Sequence, residues 1–284
     1  MKKLTVFGLI LLTGVMTAAG QAPEKQEIEL RYGPGLDEIF AVQKKIRNIH
    51  PFLNKLYPVA IYDSGRFHIF EPDLEKKSFV PAGDVPAPTE VPDKLRAALG
   101  LDYDGGGIVC AVTGDVFDSL EGYVTIFHEF IHCRQWEEGE QDLKMELSVA
   151  RSAAAKQDFM WELNHPFPYP DSQFTEIYGI FLEALKENRP QTVWNCRRFL
   201  REILNTQDFE YMIWQEWKEG FARLIENRIR IGLGLGENRG GREEPFDRVS
   251  FYAGGEGLIQ LLVQEDPDLL EDLEGLFHAM LQIY

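Results

Sequence analysis

The stretch Leu120-Glu-Gly-Tyr-Val-Thr-Ile-Phe-His-Glu-Phe-Ile-His132 marks the point at which the chain changes from strand-like to helical patterning. Its apolar residues recur every three or four positions, which predicts a helix with one buried face. These positions are Leu120, Tyr123, Val124, Phe127 and Ile131. Asp118, with Glu121 three residues later, predicts a capping box at the start of this helix.

Residues before this helix carry the signals of strands and turns. Two apolar runs flank Asp63-Ser-Gly65, which predicts a β-hairpin. The other predicted elements are a polar, mobile leader over 21–29, a helix over 36–50, a Pro-rich extended loop over 79–92, a short helix over 93–99 and a strand over 108–112. The β-containing part of the protein is therefore predicted to span residues 21–115.

Residues 116–284 show helical periodicity interrupted by clusters of Pro and Gly. The further predicted helices cover 143–163, 171–187, 193–204, 209–231, 249–264 and 269–283. A Gly-rich run over 232–241 follows a helix rather than a strand, so we interpret it as a mobile loop and a candidate lid. The predicted fold class is α+β, with a small β-containing part followed by a mainly helical region.

The first twenty residues have the pattern of a secretory signal. Lys2 and Lys3 precede an apolar run, and Ala18-Ala-Gly20 supplies small residues for cleavage. We therefore expect an exported protein, periplasmic or extracellular, that has no membrane anchor after cleavage of residues 1–20. The formal net charge of −17 argues against nucleic acid or an anionic membrane surface as partner. The pattern does not predict the oligomeric state.

Three cysteines allow more than one state in an oxidising compartment. They are Cys110, Cys133 and Cys196, and their spacing fits no zinc-ribbon pattern. One pair could form a disulfide and leave a free thiol, or all three could be buried thiols.

His128, Glu129 and His132 form the pattern H-E-x-x-H on the predicted helix. Residues four apart lie on one helical face, so both imidazoles can reach a single metal ion. The glutamate between them can act as a general base. A catalytic zinc site normally has a third protein ligand and an open position for water.

Downstream, Glu219-Gly-Phe-Ala-Arg-Leu-Ile-Glu226 completes a longer pattern. H-E-x-x-H followed by E-G-F-A-x-x-x-E resembles the gluzincin zinc metallopeptidases. The resemblance implies a zincin-like catalytic region, Zn²⁺ bound by His128, His132 and Glu219, and Glu129 as general base toward a zinc-activated water. It also implies that Glu226 supports one of the histidines.

A weaker part of the same resemblance lies at Tyr252-Ala-Gly-Gly255, which looks like the Tyr-x-x-Gly segment of aminopeptidase-like gluzincins. It implies that Tyr252 stabilises the oxyanion. Arg248, four residues earlier, is a candidate to assist it. The sequence departs from that clan in two respects. Glu219 lies 87 positions after His132, and the G-A-M-E-N segment of aminopeptidases is absent. The resemblance therefore leaves the peptide or protein substrate open.

Alternatives remain at the level of sequence. Glu216 and Glu146 are other candidates for the third ligand, and Glu219 could instead form an ion pair with Arg223 on a solvated face. The chain could also be a zinc-binding but non-proteolytic recognition or scaffold protein, or a helical domain without metal. For a peptidase, the edge of the strand over 108–112 is a candidate for aligning an extended substrate.

Overall fold

The computed structural model describes residues 21–88, 90–104 and 106–282, with side chains described from residue 26 onward. The predicted signal peptide over 1–20 lies outside the described residues. The fold is α+β, as predicted, because a five-stranded sheet in the N-terminal part is followed by a mainly helical part. Among the described helices, none is long and apolar enough to cross a membrane.

The strands form one mixed sheet in the order β3-β2-β1-β5-β4. The strands are β1 Val59–Asp63, β2 Arg66–Asp73, β3 Ser78–Pro86, β4 Arg96–Leu101 and β5 Gly107–Thr113. Strands β1 and β5 are parallel, and every other neighbouring pair is antiparallel. The predicted hairpin is thus β1–β2, and β3 and β4 are the two edges of the sheet.

The described chain also contains ten α-helices, and the first two in the chain make most of the helix contacts with the sheet. The helices are α1 Gln21–Ile46, α2 Leu120–Glu137, α3 Glu140–Glu146, α4 Ser148–Ala155, α5 Trp161–Asn164, α6 Ser172–Lys186, α7 Pro190–Ile203, α8 Thr206–Gly232, α9 Arg248–Glu265 and α10 Leu273–Leu281. Helices α6 to α10 correspond to the predicted helices, with ends shifted by a few residues.

The two faces of strand β5 pack into different hydrophobic clusters, and one of these clusters includes α2. Alternate residues of a strand point to opposite faces. Cys110 and Val112 join the large core that includes the helices, whereas Val109 and Ala111 belong to a small cluster on the other face. The predicted stripe on α2 is buried or half-buried, and Ile126 and Phe130 are buried as well. Helix α2 is therefore a core helix packed on the sheet.

The N-terminus of α2 differs from the prediction. Ser119, not Asp118, is the N-cap residue, and its side chain accepts a hydrogen bond from the Gly122 amide at 3.1 Å. The predicted capping box of Asp118 with Glu121 is wrong because residues 114–118 form a 3-10 turn that carries Asp118 away from the helix start.

Both edge strands lie where the sequence predicted something else. The sequence predicts a loop over 79–92, but β3 pairs with β2 along its length. An edge strand tolerates proline, because the missing N–H can face outward. Residues 93–99 were expected to be helical, but β4 pairs with β5. Lys94 adopts a left-handed backbone (φ 58°), which stops a helix there.

Two helical predictions also need correction. The leader over 21–29 is helical, because α1 begins at Gln21 and runs through Gly33-Pro-Gly35, and Ile28 is buried. The helix predicted over 143–163 is broken into α3, α4 and α5. Leu147 is extended (ψ 135°) and Gln157 is left-handed (φ 57°), and both conformations interrupt a helix.

Helices α8 and α9 cross with their backbones in contact. A Cβ atom on Gly220 would lie 2.5 Å from the Cα of Gly255, and one on Gly255 would lie 2.0 Å from the Glu216 carbonyl oxygen. Only residues without side chains permit this distance between helices. The contact brings the first half of α9 beside the middle of α8.

We expect Gly255→Ala to lower the free energy of unfolding by about 2 kcal/mol, since the added methyl group meets backbone atoms that cannot rotate away. The matched control is Gly33→Ala in α1, where a Cβ meets nothing within 4 Å and the lower entropy of the unfolded chain should leave stability equal or slightly higher. Urea denaturation followed by circular dichroism measures both variants. Equal stability of Gly255→Ala and the parent protein would contradict the close contact.

Candidate metal centre

Two helices bring three ligand atoms together. His128 and His132 lie one turn apart on the face of α2 that meets α8, and Glu219 lies near the middle of α8. The two imidazole Nε2 atoms are 3.1 Å apart. Glu219 Oε2 lies 3.8 Å from Nε2 of His128 and 3.5 Å from Nε2 of His132.

This geometry fits a zinc ion. Zinc binds imidazole nitrogen and carboxylate oxygen at about 2.0–2.2 Å, so the ligand atoms of a tetrahedral site lie roughly 3.3 Å from one another. The three atoms here all lie within 4.8 Å of one another, and two imidazoles with one carboxylate are a donor set of catalytic zinc sites. The residues that the sequence pattern assigned to the metal are therefore close enough to share one ion.

Both histidines are oriented by partners on their other ring nitrogen. His128 Nδ1 donates to Glu226 Oε2 at 3.0 Å, and His132 Nδ1 donates to Gln135 Oε1 at 2.8 Å. Such contacts fix the tautomer and leave Nε2 available for a metal. The sequence pattern implied the role of Glu226 but missed Gln135. Its only signal was its position three residues after His132.

The electrostatics of the centre favour positive charge. Burial opposes protonation of His128, but the neighbouring carboxylates of Glu219 and Glu226 outweigh burial and raise its pKa to about 10. Burial likewise opposes ionisation of Glu219, yet the neighbouring histidines hold its pKa well below the usual value. The pKa of Glu226 falls to about 2 despite burial, chiefly through His128. The carboxylates of Glu219 and Glu226 would also attract a metal cation placed at this site.

Glu129 faces the cleft beside the candidate metal ligands. The cleft has a volume of about 780 Å³ and is lined by His128, Glu129, His132, Glu219 and Tyr252, among other residues. The side chain of Glu129 is buried, and among the described residues none forms a hydrogen bond or ion pair with its carboxylate. This carboxylate is therefore free to accept a proton from a molecule in the cleft.

Tyr252 reaches the same cleft from the first turns of α9. Burial and the negative charge of Glu219 raise its pKa, so the phenol stays protonated and can donate a hydrogen bond. The guanidinium of Arg248 lies 5.3 Å from the centre of the Tyr252 ring, and its NH1 lies 3.6 Å from Glu219 Oε1. The two residues that the weaker resemblance suggested thus lie beside the third candidate ligand.

The other candidate ligands lie elsewhere. Glu216 is fully buried, accepts a hydrogen bond from Tyr178 at 3.0 Å and pairs with Arg197 at 2.5 Å. Glu146 on α3 lies 3.0 Å from His278. The alternative ion pair between Glu219 and Arg223 is not formed, and Arg223 pairs with Glu226 at 3.4 Å instead.

The Gly-rich segment after α8 forms neither helix nor strand, as predicted, and it is hydrogen-bonded to Glu226 beside the candidate metal ligands. The Asn238 side chain donates to Glu226 Oε1 at 2.9 Å, and its backbone amide donates to Asn227 Oδ1 at 2.6 Å. Arg223 donates to the carbonyl oxygens of Asn238 and Gly240. In this conformation the segment supports Glu226 and borders the cleft.

A cluster of four charged side chains forms another wall of the cleft, which the sequence did not reveal. Lys218 lies 2.9 Å from both Glu140 and Glu162, and Lys144 lies 2.7 Å from Glu162. Burial opposes ionisation of Glu162, but the two lysines outweigh it and lower its pKa to about 2. The cluster fixes α3 and α5 to α8 because its members come from all three helices.

The three cysteines take no part in this centre. Cys110, Cys133 and Cys196 are buried and unpaired. The alternative of three buried thiols therefore applies rather than a disulfide. Burial raises the pKa of each thiol, most strongly for Cys110 and Cys133.

Comparison with known proteins supplies no match, so the functional inference rests on the geometry of the candidate site. No family model, no curated protein and no solved structure matches this chain. The likeness to gluzincins therefore rests on the H-E-x-x-H and E-G-F-A-x-x-x-E segments and on the positions of their side chains.

Proposed function

We propose that the protein is a zinc-dependent metallopeptidase that hydrolyses peptide bonds, with Glu129 as general base. The observation that carries this proposal is the convergence of His128, His132 and Glu219 in one cleft with Glu129. The signal-like pattern over 1–20 supports the further proposal that the enzyme is exported to the periplasm or the cell exterior. Its partners would then be extracytoplasmic peptides or proteins.

The roles of the residues follow from their positions. Bound zinc would supply Lewis-acid chemistry, making water nucleophilic near neutral pH and polarising the substrate carbonyl. Glu129 takes a proton from the attacking water and passes it to the leaving amine. The Tyr252 hydroxyl donates a hydrogen bond to the carbonyl oxygen as negative charge develops on it. Arg248 lies where it can hold the phenol in place.

The edge of the sheet supplies a way to hold the substrate backbone. The sequence suggested the strand over 108–112, but β5 lies between β1 and β4 and has no free edge. Strand β4 is the edge, and its residues from Arg96 to Gly100 line the cleft. An extended peptide can add to this edge through main-chain hydrogen bonds, with its scissile carbonyl directed toward α2.

Metal removal provides the direct test. We expect the purified protein to contain close to one zinc per chain and to cleave a mixed peptide library. A chelator should abolish cleavage, and added zinc should restore it. Measurement of metal content by mass spectrometry and of cleavage products by chromatography gives both results. Zinc binding without any cleavage would instead favour a non-proteolytic scaffold, and absence of zinc binding would exclude both functions.

We expect Tyr252→Phe to lower kcat by about 10²-fold with a small change in KM, because only the hydrogen bond to the developing oxyanion is lost. Zinc content should be unchanged, since the phenol is not among the three converging ligand atoms. Steady-state kinetics on one peptide measure the effect. An unchanged kcat would show that Tyr252 packs against the site without acting in it.

A further inference from the structure

Three large apolar side chains that line the cleft are exposed. The exposed fractions are 40% for Trp136, 86% for Phe159 and 53% for Leu163. All three line the cleft that contains the candidate metal ligands. We refer to these three residues as the apolar rim. Exposed apolar side chains grouped around a cleft mark binding surfaces in soluble proteins.

The segment that carries much of the rim is firmly attached to the protein. The carbonyl oxygen of Glu162, next to Leu163, accepts hydrogen bonds from Tyr211 at 3.1 Å and Gln215 at 2.9 Å. The Glu162 carboxylate belongs to the charged cluster with Lys144 and Lys218. The rim is therefore a preformed surface, so a ligand would not have to order it on binding.

Trp136 of the apolar rim lies close to both the candidate metal ligands and the edge strand β4. Trp136 follows His132 by one turn of α2, so the two side chains are neighbours on that helix. A Cβ atom on Gly100 of β4 would lie 4.0 Å from the Trp136 ring. A peptide strand added to β4 would lie about 4.8 Å from it. Side chains of such a strand near Gly100 would thus point toward the indole.

We infer that the cleft selects extended peptides carrying a bulky apolar side chain, such as Phe or Leu, which packs against the apolar rim. This inference rests on the proposed function, because it takes an extended peptide as the occupant. A peptide can use the free edge of β4 and the rim together. The charged cluster of Lys144, Lys218 and Glu162 on the adjoining wall is less compatible with a long hydrocarbon chain.

Direct binding measurements test the inference separately from catalysis. The full-length Glu129→Gln protein is loaded with zinc and titrated into fluorescein-labelled decapeptides that differ at one position, Phe or Ser, scanned along the peptide. Fluorescence anisotropy gives the affinities. We expect Phe at one or two positions to tighten binding at least tenfold, as burial of a Phe side chain implies.

Variants of the rim identify where the Phe side chain binds. Phe159→Ser with Leu163→Ser should reduce the preference for Phe to less than threefold, and both residues are exposed enough to be replaced without opening the core. The matched control is Phe199→Ser, whose side chain is 55% exposed on α7 and does not line the cleft. This control should keep the full preference.

The possible outcomes separate the two proposals. Equal affinity for the Phe and Ser peptides, or a preference retained in the double rim variant, would overturn the inference. Binding to phosphatidylcholine vesicles that depends on the rim, without any peptide preference, would also overturn it in favour of a lipid contact. Rim-dependent peptide selection by a zinc-loaded protein that cleaves no peptide would uphold the inference while refuting the peptidase.

Discussion

Replacement of Glu129 with Gln is expected to lower peptide hydrolysis by about 10³-fold or more. The amide keeps the size of the side chain but cannot accept a proton from water, and loss of a general base costs about 10²–10⁴-fold. Glu129 has no hydrogen-bond partner among the described residues, so the substitution leaves no partner unpaired. Hydrolysis of a quenched fluorescent peptide measures the effect.

The same variant tests whether the loss is catalytic. Zinc content and the thermal unfolding midpoint of Glu129→Gln should match those of the parent protein, because Glu129 is not among the converging ligand atoms. Glu129→Asp shortens the side chain by one methylene but keeps a carboxylate, so it should retain part of the activity. The peptidase proposal is wrong if Glu129→Gln and the parent cleave a broad peptide library at equal rates.

Replacement of Glu219 with Ala should weaken zinc binding by more than 100-fold. Loss of a residue that only orients a ligand already costs about 10–100-fold in metal affinity, and removal of a ligand should cost more. The variant leaves two buried imidazoles as the remaining ligands of the group. Competition with a chromophoric chelator measures the dissociation constant for zinc.

Two further variants provide zinc affinities with which that of Glu219→Ala can be compared. Glu226→Gln should weaken zinc binding by about 10–100-fold, because Glu226 accepts the hydrogen bond of His128 Nδ1 without reaching the metal. Glu146→Gln is the matched control, since Glu146 lies beside His278 and outside the centre. A large effect of Glu146→Gln with none for Glu219→Ala would mean that the third ligand has been assigned to the wrong helix.

Local patterns in the sequence were sufficient to predict that two of the candidate ligands lie side by side. His128 and His132 had to share a helical face because helix geometry fixes the positions of residues four apart. Glu219 could be chosen over Glu216 and Glu146 only through the resemblance. Distance along the chain says nothing about which acidic residue the fold brings to α2. The packing of α8 against α2 decided that point.

The parts that the sequence did not predict depend on tertiary contacts. The residues of β4 read as a helix, yet pairing with β5 outweighs their local preference. Its identity as the edge strand could not be known before the strand order was known. The apolar rim was equally hidden, since Phe159 and Leu163 lie in the stretch 143–163 that was predicted as one helix and is in fact broken.

The contact between Gly220 and Gly255 has a further consequence for how the site responds to a substrate. Glu219 and Tyr252 each lie one to three residues from this crossing, where main chain meets main chain with no intervening side chain. The separation of their backbones is therefore insensitive to rotamer changes in the surrounding core. If the proposed peptidase reaction takes place here, a small reorganisation energy follows, because the backbone already positions the Glu219 and Tyr252 side chains before a peptide binds.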